Sequence, residues 1–231
     1  MGRLGAIEKA FAICAVIVLI ALGAWLLTFA RAQEMACFTT SLADRSAAQM
    51  RNIRIAVNAL GSARIAPGRT LSFNKVAGPY TPARGYVRAP AIIRGALRPD
   101  FGGGVCQVSS TLYNAALLAD LAITERHQHD APVSSVPPGR DAMVAEERAD
   151  LVIRNNMRRD VMVRARISGQ RLIVCIAGHP KVEKDVSIHT SRRDLGPGYF
   201  EVTTWRVVSA PGQPPREERI SVDHYEPPEE M

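Results

Sequence analysis

The chain has 231 residues, room for one domain with additions or for two small domains. Hydrophobic residues make up 47% and charged residues 22%, which excludes disorder, collagen and coiled coil as descriptions of the whole. Lys and Arg outnumber Asp and Glu by 29 to 22, and the resulting +7 suits an anionic surface such as lipid head groups or cell-wall polymer, although it is also compatible with nucleic acid.

The run from Ala10 to Ala30 holds no charged residue. As a helix it would measure about 30 Å, the thickness of a hydrocarbon core, so a single-pass anchor is expected. The alternative is a signal peptide, since Ala30-Arg31-Ala32 fits the small-x-small cleavage pattern before Gln33. Arg3 and Lys9 on one side nearly balance Arg31 and Arg45 on the other. Orientation is therefore taken from the short N-terminal tail, which places residues 32–231 on the extracytoplasmic side. That choice removes nucleic acid as a partner.

Residues 31–43 read as a short link. A helix is expected from about Leu42 to Leu60, because Met50, Ile53, Val57 and Leu60 recur at spacings of three and four, and Gly61 stands where a left-handed C-cap would end it. Pro67-Gly68, Gly78-Pro79, Arg84-Gly85 and Arg94-Gly95 then punctuate short extended runs, the pattern of hairpins and turns. A glycine triplet, Gly102-Gly103-Gly104, opens a second helix over about Cys106–Leu121. Strands are expected at Ile123–His127, Ala142–Val152, Val161–Ile167 and Arg171–Ala177. A last hairpin, Phe200–Val208 with Glu218–Asp223, closes through a Pro-rich loop. The fold class is α+β: an N-terminal membrane helix, then a mainly antiparallel sheet with two principal helices and a C-terminal β-hairpin.

Cysteine usage adds one constraint. Cys14 lies in the apolar run, which leaves Cys37, Cys106 and Cys175 outside it, so at least one exported thiol is free or pairs with another molecule. Cys106 is the informative one. It follows the glycine triplet at a helix start, where unpaired N–H groups and the helix dipole favour a thiolate and can hold an oxyanion. His127, His129 and Asp141 follow it. Thiolate, base and orienting carboxylate are the set that nucleophilic acyl transfer requires. Three other readings stay open on the residues alone. Cys106 could be an inert buried thiol, Cys106 with His127 and His129 could hold zinc, or the loop could be a carboxylate pocket built from Gly102, Gly103, Gly104, Gln107, Ser109 and Ser110.

Five segments follow one another in an order that resembles the VanW family of bacterial envelope proteins: Arg51 to Leu60, Pro67-Gly68-Arg69-Thr70-Leu71-Ser72-Phe73-Asn74, Gly102 to Ala115, His127-Gln128-His129, and Gly139-Arg140-Asp141-Ala142. The resemblance runs from about 50 to 180. The ending Trp205 to Val208, Ile220-Ser221 and Tyr225-Glu226-Pro227 is also similar to the tail of many members. Gln128 and Asp130 depart from it, standing where members often carry proline and serine. The resemblance implies a link with glycopeptide resistance, and peptidoglycan or its precursors as the partner, without naming a reaction. The expected organisation is therefore a tail and anchor or signal at 1–31, a linker at 32–43, a VanW-like domain at 44–180 and a hairpin extension at 181–231. The expected activity is that of a thiol acyltransferase or amidase using Cys106, with no cofactor and no metal. The rival classes are a non-catalytic carboxylate- or peptide-binding module and a structural partner of an envelope complex.

Overall fold

The computed structural model describes residues 13–23, 32–93, 96–179 and 184–227. The chain divides into two compact units, residues 1–33 and 34–231. The first contains helix α1 over residues 13–23, whose Ile13, Val16, Ile17, Val18, Leu19, Ile20 and Leu22 are all exposed. Among the described residues no helix is long and apolar enough to cross a membrane. The remainder of the apolar run expected over Ala10–Ala30 lies outside the described residues.

The second unit is mixed α+β with antiparallel pairing in its meander and hairpins. Its helices are α2 (Ala47–Leu60), α3 (Phe73–Ala77) and α4 (Val105–Leu118). Its strands are β1 (Gln33–Ser41), β2 (Arg64–Ile65), β3 (Thr70–Ser72), β4 (Arg88–Ile93), β5 (Ala96–Phe101) and β6 (Ala122–Glu125). They continue with β7 (Val152–Arg154), β8 (Val161–Ser168), β9 (Arg171–Gly178), β10 (Asp185–Gly196), β11 (Tyr199–Ser209) and β12 (Arg216–Tyr225). The central sheet has the order β1-β9-β8-β2, and α2 and α4 pack against β8 and β9 and against each other. Strands β3-β7-β6 form a small second sheet, β4-β5 a hairpin, and β10-β11-β12 an antiparallel meander.

Helix α2 starts at a reciprocal cap. Ser46 Oγ accepts from Gln49 N at 3.2 Å and Gln49 Oε1 accepts from Ser46 N at 3.1 Å, which settles two of the N–H groups that a helix start leaves unpaired. The cap explains why the helix begins at Ala47 and not at Leu42. Its buried face is Ile53, Ala56, Val57 and Leu60, each large apolar side chain contributing about 1.5–3 kcal/mol by leaving water. Gly61 has φ −60° and so is right-handed, contrary to the expected left-handed cap. The chain turns there through Ala63 N donating to Leu60 O, a geometry open to any residue.

Three expected segments differ. Residues 33–41, read as part of a link, form β1, an edge of the central sheet bonded covalently to its neighbour by the Cys37–Cys175 disulfide. Residues 142–151, read as one strand, carry only the bridges His127↔Met143 and Ala145↔Ala149, because Glu147 at φ +60° turns the chain back on itself. The C-terminal hairpin is a three-stranded meander. Strand β10 was invisible to an apolar pattern because nearly all of it is solvent-exposed and only its pairing with β11 defines it.

Candidate active site

The site is built where α4 leaves the glycine triplet. Gly102 and Gly104 take φ of +81° and +99°, a region that side chains with a β-carbon rarely adopt. A β-carbon on Gly103 would stand 2.4 Å from Ala89 O, so only glycine fits. Buried Asn52 of α2 ties this loop to its surroundings, its amide donating to Gly103 O at 3.0 Å and Val87 O at 2.9 Å while accepting from Val87 N at 2.9 Å.

Cys106 is the second residue of α4 and is partly buried, with Sγ 3.5 Å from Val144 O. The N–H groups of Val105 and Gln107 are already bonded to Gly102 O and Gly104 O, whereas the Cys106 N–H has no partner among the described residues. His129 is buried and places both its backbone N and its Nδ1 at 2.7 Å from Asp141 Oδ2. With Nδ1 donating to the carboxylate, Nε2 is the nitrogen left for Cys106. Asp141 Oδ1 accepts from Tyr225 Oη at 2.5 Å and Arg126 Nη2 at 3.1 Å. Arg126 also pairs with Asp223, and it is held across the face of Tyr113.

Mutual stabilisation decides the charge states. Burial alone would push the Cys106 thiol up, but the hydrogen bond and charge of His129, helped by the Val144 backbone, hold it below the ordinary thiol value. Burial would likewise discharge His129, yet its hydrogen bonds to Asp141 and Cys106 push it up to about 9. Asp141, despite burial, is held below the usual carboxylate range by His129 and Arg126. Each shift favours the ion-paired form, thiolate, imidazolium and carboxylate in a row.

The row opens on a groove of 560 Å³ lined by Cys106 and His129, by Gly102–Gly104, and by Arg45, Tyr80 and Val144 among others. Of the two candidate histidines, the groove takes only His129. His127 is half-exposed and turns to Glu125, with Nε2 3.0 Å from Oε1; residues two apart share a face only while a strand stays regular, and the 127–129 segment leaves the strand after its bridge to Met143, so the two side chains part. The zinc grouping of Cys106, His127 and His129 is therefore not assembled. Among the described residues the only three-ligand cluster is Glu34, Cys37 and Cys175, in which the two sulfurs are bonded to each other.

Ser109 and Ser110, read as ligand-binding, are fully buried and face away from the groove. Their hydroxyls donate to Cys106 O at 3.0 and 2.7 Å, and Ser110 Oγ also accepts from Ala142 N at 2.9 Å, so they splint the helix start to the Asp141 segment. Gln107 lines the groove, but its amide is spent on Thr40 Oγ1, Ser41 O and Arg45 Nε. Arg45, Arg126 and Tyr225 were missed. No spacing in the sequence could have flagged residues brought in from a helix N-terminal segment, an arginine inside a strand pattern and the last strand.

A family model described as VanW like protein matches residues 48–177, more than half of the chain. The chain belongs to the VanW-like family. It is similar to the uncharacterized protein YoaR of Bacillus subtilis (strain 168), 36% identical over 151 residues that cover 65% of this chain and 50% of the relative. It is also similar to the vancomycin B-type resistance protein VanW of Enterococcus faecalis (strain ATCC 700802 / V583), 31% identical over 110 residues, 46% of this chain and 40% of the relative. The chain thus spans half or less of the length of these curated relatives. No solved structure matches. Cys106, His129 and Asp141 lie inside the VanW-like match, whereas Arg45 and Tyr225 lie outside it.

Proposed function

We propose that this VanW-like protein is a thiol acyl-transfer enzyme of the bacterial envelope that acts on peptidoglycan or its precursor peptides. The carrying observation is the alignment of Cys106, His129 and Asp141 beside an open groove. The Cys106 thiolate attacks an amide or ester carbonyl carbon, and the negative charge moves to the carbonyl oxygen, where the unpaired Cys106 N–H receives it. Collapse of this adduct breaks the bond to the leaving group, which takes the proton from His129 Nε2. An acyl thioester remains. An amine or water then gives its proton to Nε2 as it attacks the thioester, and the thiolate departs. Asp141 holds the imidazole tautomer and stabilises its positive form throughout.

Placement at the envelope rests on three supports: the exposed apolar face of α1, a Cys37–Cys175 disulfide of the kind that persists in oxidising compartments, and a relative whose name is that of a vancomycin resistance protein. In this reading residues 32–231 lie outside the membrane, with the segment before them as anchor or signal. The competing reading, a carboxylate- or peptide-binding module, is supported by the same glycine-lined groove. Turnover and binding of purified muropeptides by the wild-type chain and by Cys106→Ser separate the two. Product formed by the wild type and not by the variant supports the enzyme. Equal binding by both forms without product from either rejects it.

A further inference from the structure

We infer that Arg45 is a carboxylate-binding residue of the groove, and that the acyl substrate carries a carboxylate read by its guanidinium. The inference rests on the enzyme reading above and specifies its substrate class. Arg45 stands immediately before the cap of α2 and lines the same groove as Cys106 and His129. Its Nε donates to Gln107 Oε1 at 2.6 Å, and its Nη2 reaches Ser134 Oγ at 3.4 Å. Gln107 directly follows Cys106, so the guanidinium is clasped by the first turn of the nucleophile's own helix.

The clasp is rigid and uncharged. Gln107 Nε2 spends its protons on Thr40 Oγ1 at 3.0 Å and Ser41 O at 2.7 Å, which leaves Oε1 facing Arg45. The buried arginines elsewhere are neutralised: Arg126 by Asp141 and Asp223, Arg206 by Glu218 and Asp120. Arg140 has a neutral partner too, Asn114, but it lies over the Phe38 ring and does not line the groove. Arg45 makes no ion pair among the described residues, and its Nη1 has no partner there.

The acids of the groove are engaged elsewhere or stand at its rim. Glu146 accepts from Tyr80 N, Asp100 accepts from Phe101 N, and Asp130 is exposed. Partial burial works against the Arg45 charge more than the neighbouring Asp44 carboxylate supports it, a net cost that an incoming anion offsets. With Nε occupied, the open edge of the guanidinium is the Nη1/Nη2 pair, whose parallel N–H groups match the two oxygens of a carboxylate.

The test uses two alkylating agents that differ in one charge, iodoacetate and iodoacetamide, with labelling read on the Cys106 peptide by mass spectrometry. In both, the Cys106 sulfur forms a bond to the methylene carbon and iodide leaves. The iodoacetate-to-iodoacetamide rate ratio at Cys106 falls about fivefold in Arg45→Gln and returns in Arg45→Lys, as expected for loss of one nearby positive charge. An unchanged ratio in a folded Arg45→Gln overturns the inference. A measurement on the wild type covers the case in which that variant does not fold: propionate slows iodoacetamide labelling of Cys106 and propionamide at the same concentration does not. Equal behaviour of the two overturns the inference. Failure of the enzyme reading shows separately, as a wild-type iodoacetamide rate no faster than that of an ordinary thiol.

Discussion

Tyr225 donates its phenolic hydrogen to Asp141 Oδ1 at 2.5 Å, across 84 residues of chain. The Tyr225 phenolic oxygen in turn accepts from Gly139 N at 2.6 Å, so the last strand fixes both the carboxylate and the turn that delivers it. Burial and the Asp141 charge push the Tyr225 phenol well up, which keeps it a neutral donor over the working pH range. Gly139 permits the close approach, since a β-carbon there would meet Thr204 Oγ1 at 2.5 Å.

Tyr225→Phe should therefore cost about 1–3 kcal/mol of stability, because it removes a donor from a buried carboxylate and an acceptor from a buried N–H. Urea unfolding measures this. The same variant should slow iodoacetamide labelling of Cys106 at pH 6–7, because the Asp141 carboxylate loses the bond that holds it in place against His129.

The two histidines should separate cleanly. His129→Ala removes the group that lowers the Cys106 thiol, and an ordinary thiol is only a few per cent ionised at neutral pH, so labelling should slow by about tenfold or more. His127→Ala breaks only a half-exposed contact with Glu125, and labelling should stay within about twofold. A larger effect of His127→Ala would reverse the assignment.

Stability should depend on pH at both ends. His129 is raised from 6.5 to about 9, so its contribution is fully present below pH 6.5 and is lost as pH rises through about 9. Asp141 is lowered from 3.8, so its contribution is present above that value and is lost as pH falls through the depressed one. Urea midpoints against pH should trace a plateau between these limits. Cys106→Ala removes one of the two partners that raise His129, so it should move the alkaline loss to lower pH.

The Cys37–Cys175 bond closes a loop with a sequence separation of 138, which strongly restricts the unfolded chain. In a Cys106→Ala background, reduction or Cys37→Ser with Cys175→Ser should destabilise by about 2–5 kcal/mol in chemical denaturation. Cys175 should not be alkylated before reduction.

Gly103→Ala should be among the most damaging small changes. The added methyl would meet the Ala89 and Pro90 carbonyl oxygens at 2.4 and 2.7 Å, and these belong to backbone that cannot rotate away. A loss of about 1–3 kcal/mol or more is expected on thermal or urea unfolding.

The sequence by itself determined the elements whose signal is local. The 3.6-residue periodicity of α2, the apolar runs of β8 and β9, and the glycines that must precede Cys106 are each readable over a dozen residues, because helix faces and turn geometry depend on near neighbours. It also supplied Cys106, two histidines and Asp141, but left the choice of histidine open. That choice depends on which way an extended segment turns after its last bridge, and on an aspartate that bonds both the backbone and the ring of His129. Only the tertiary structure decided the placement of Tyr225, Arg126 and Arg45, and the pairing of Cys37 with Cys175, because each joins segments far apart in the chain. Such contacts arise from packing and burial, and a side chain carries no mark in the sequence of the partner that burial will give it.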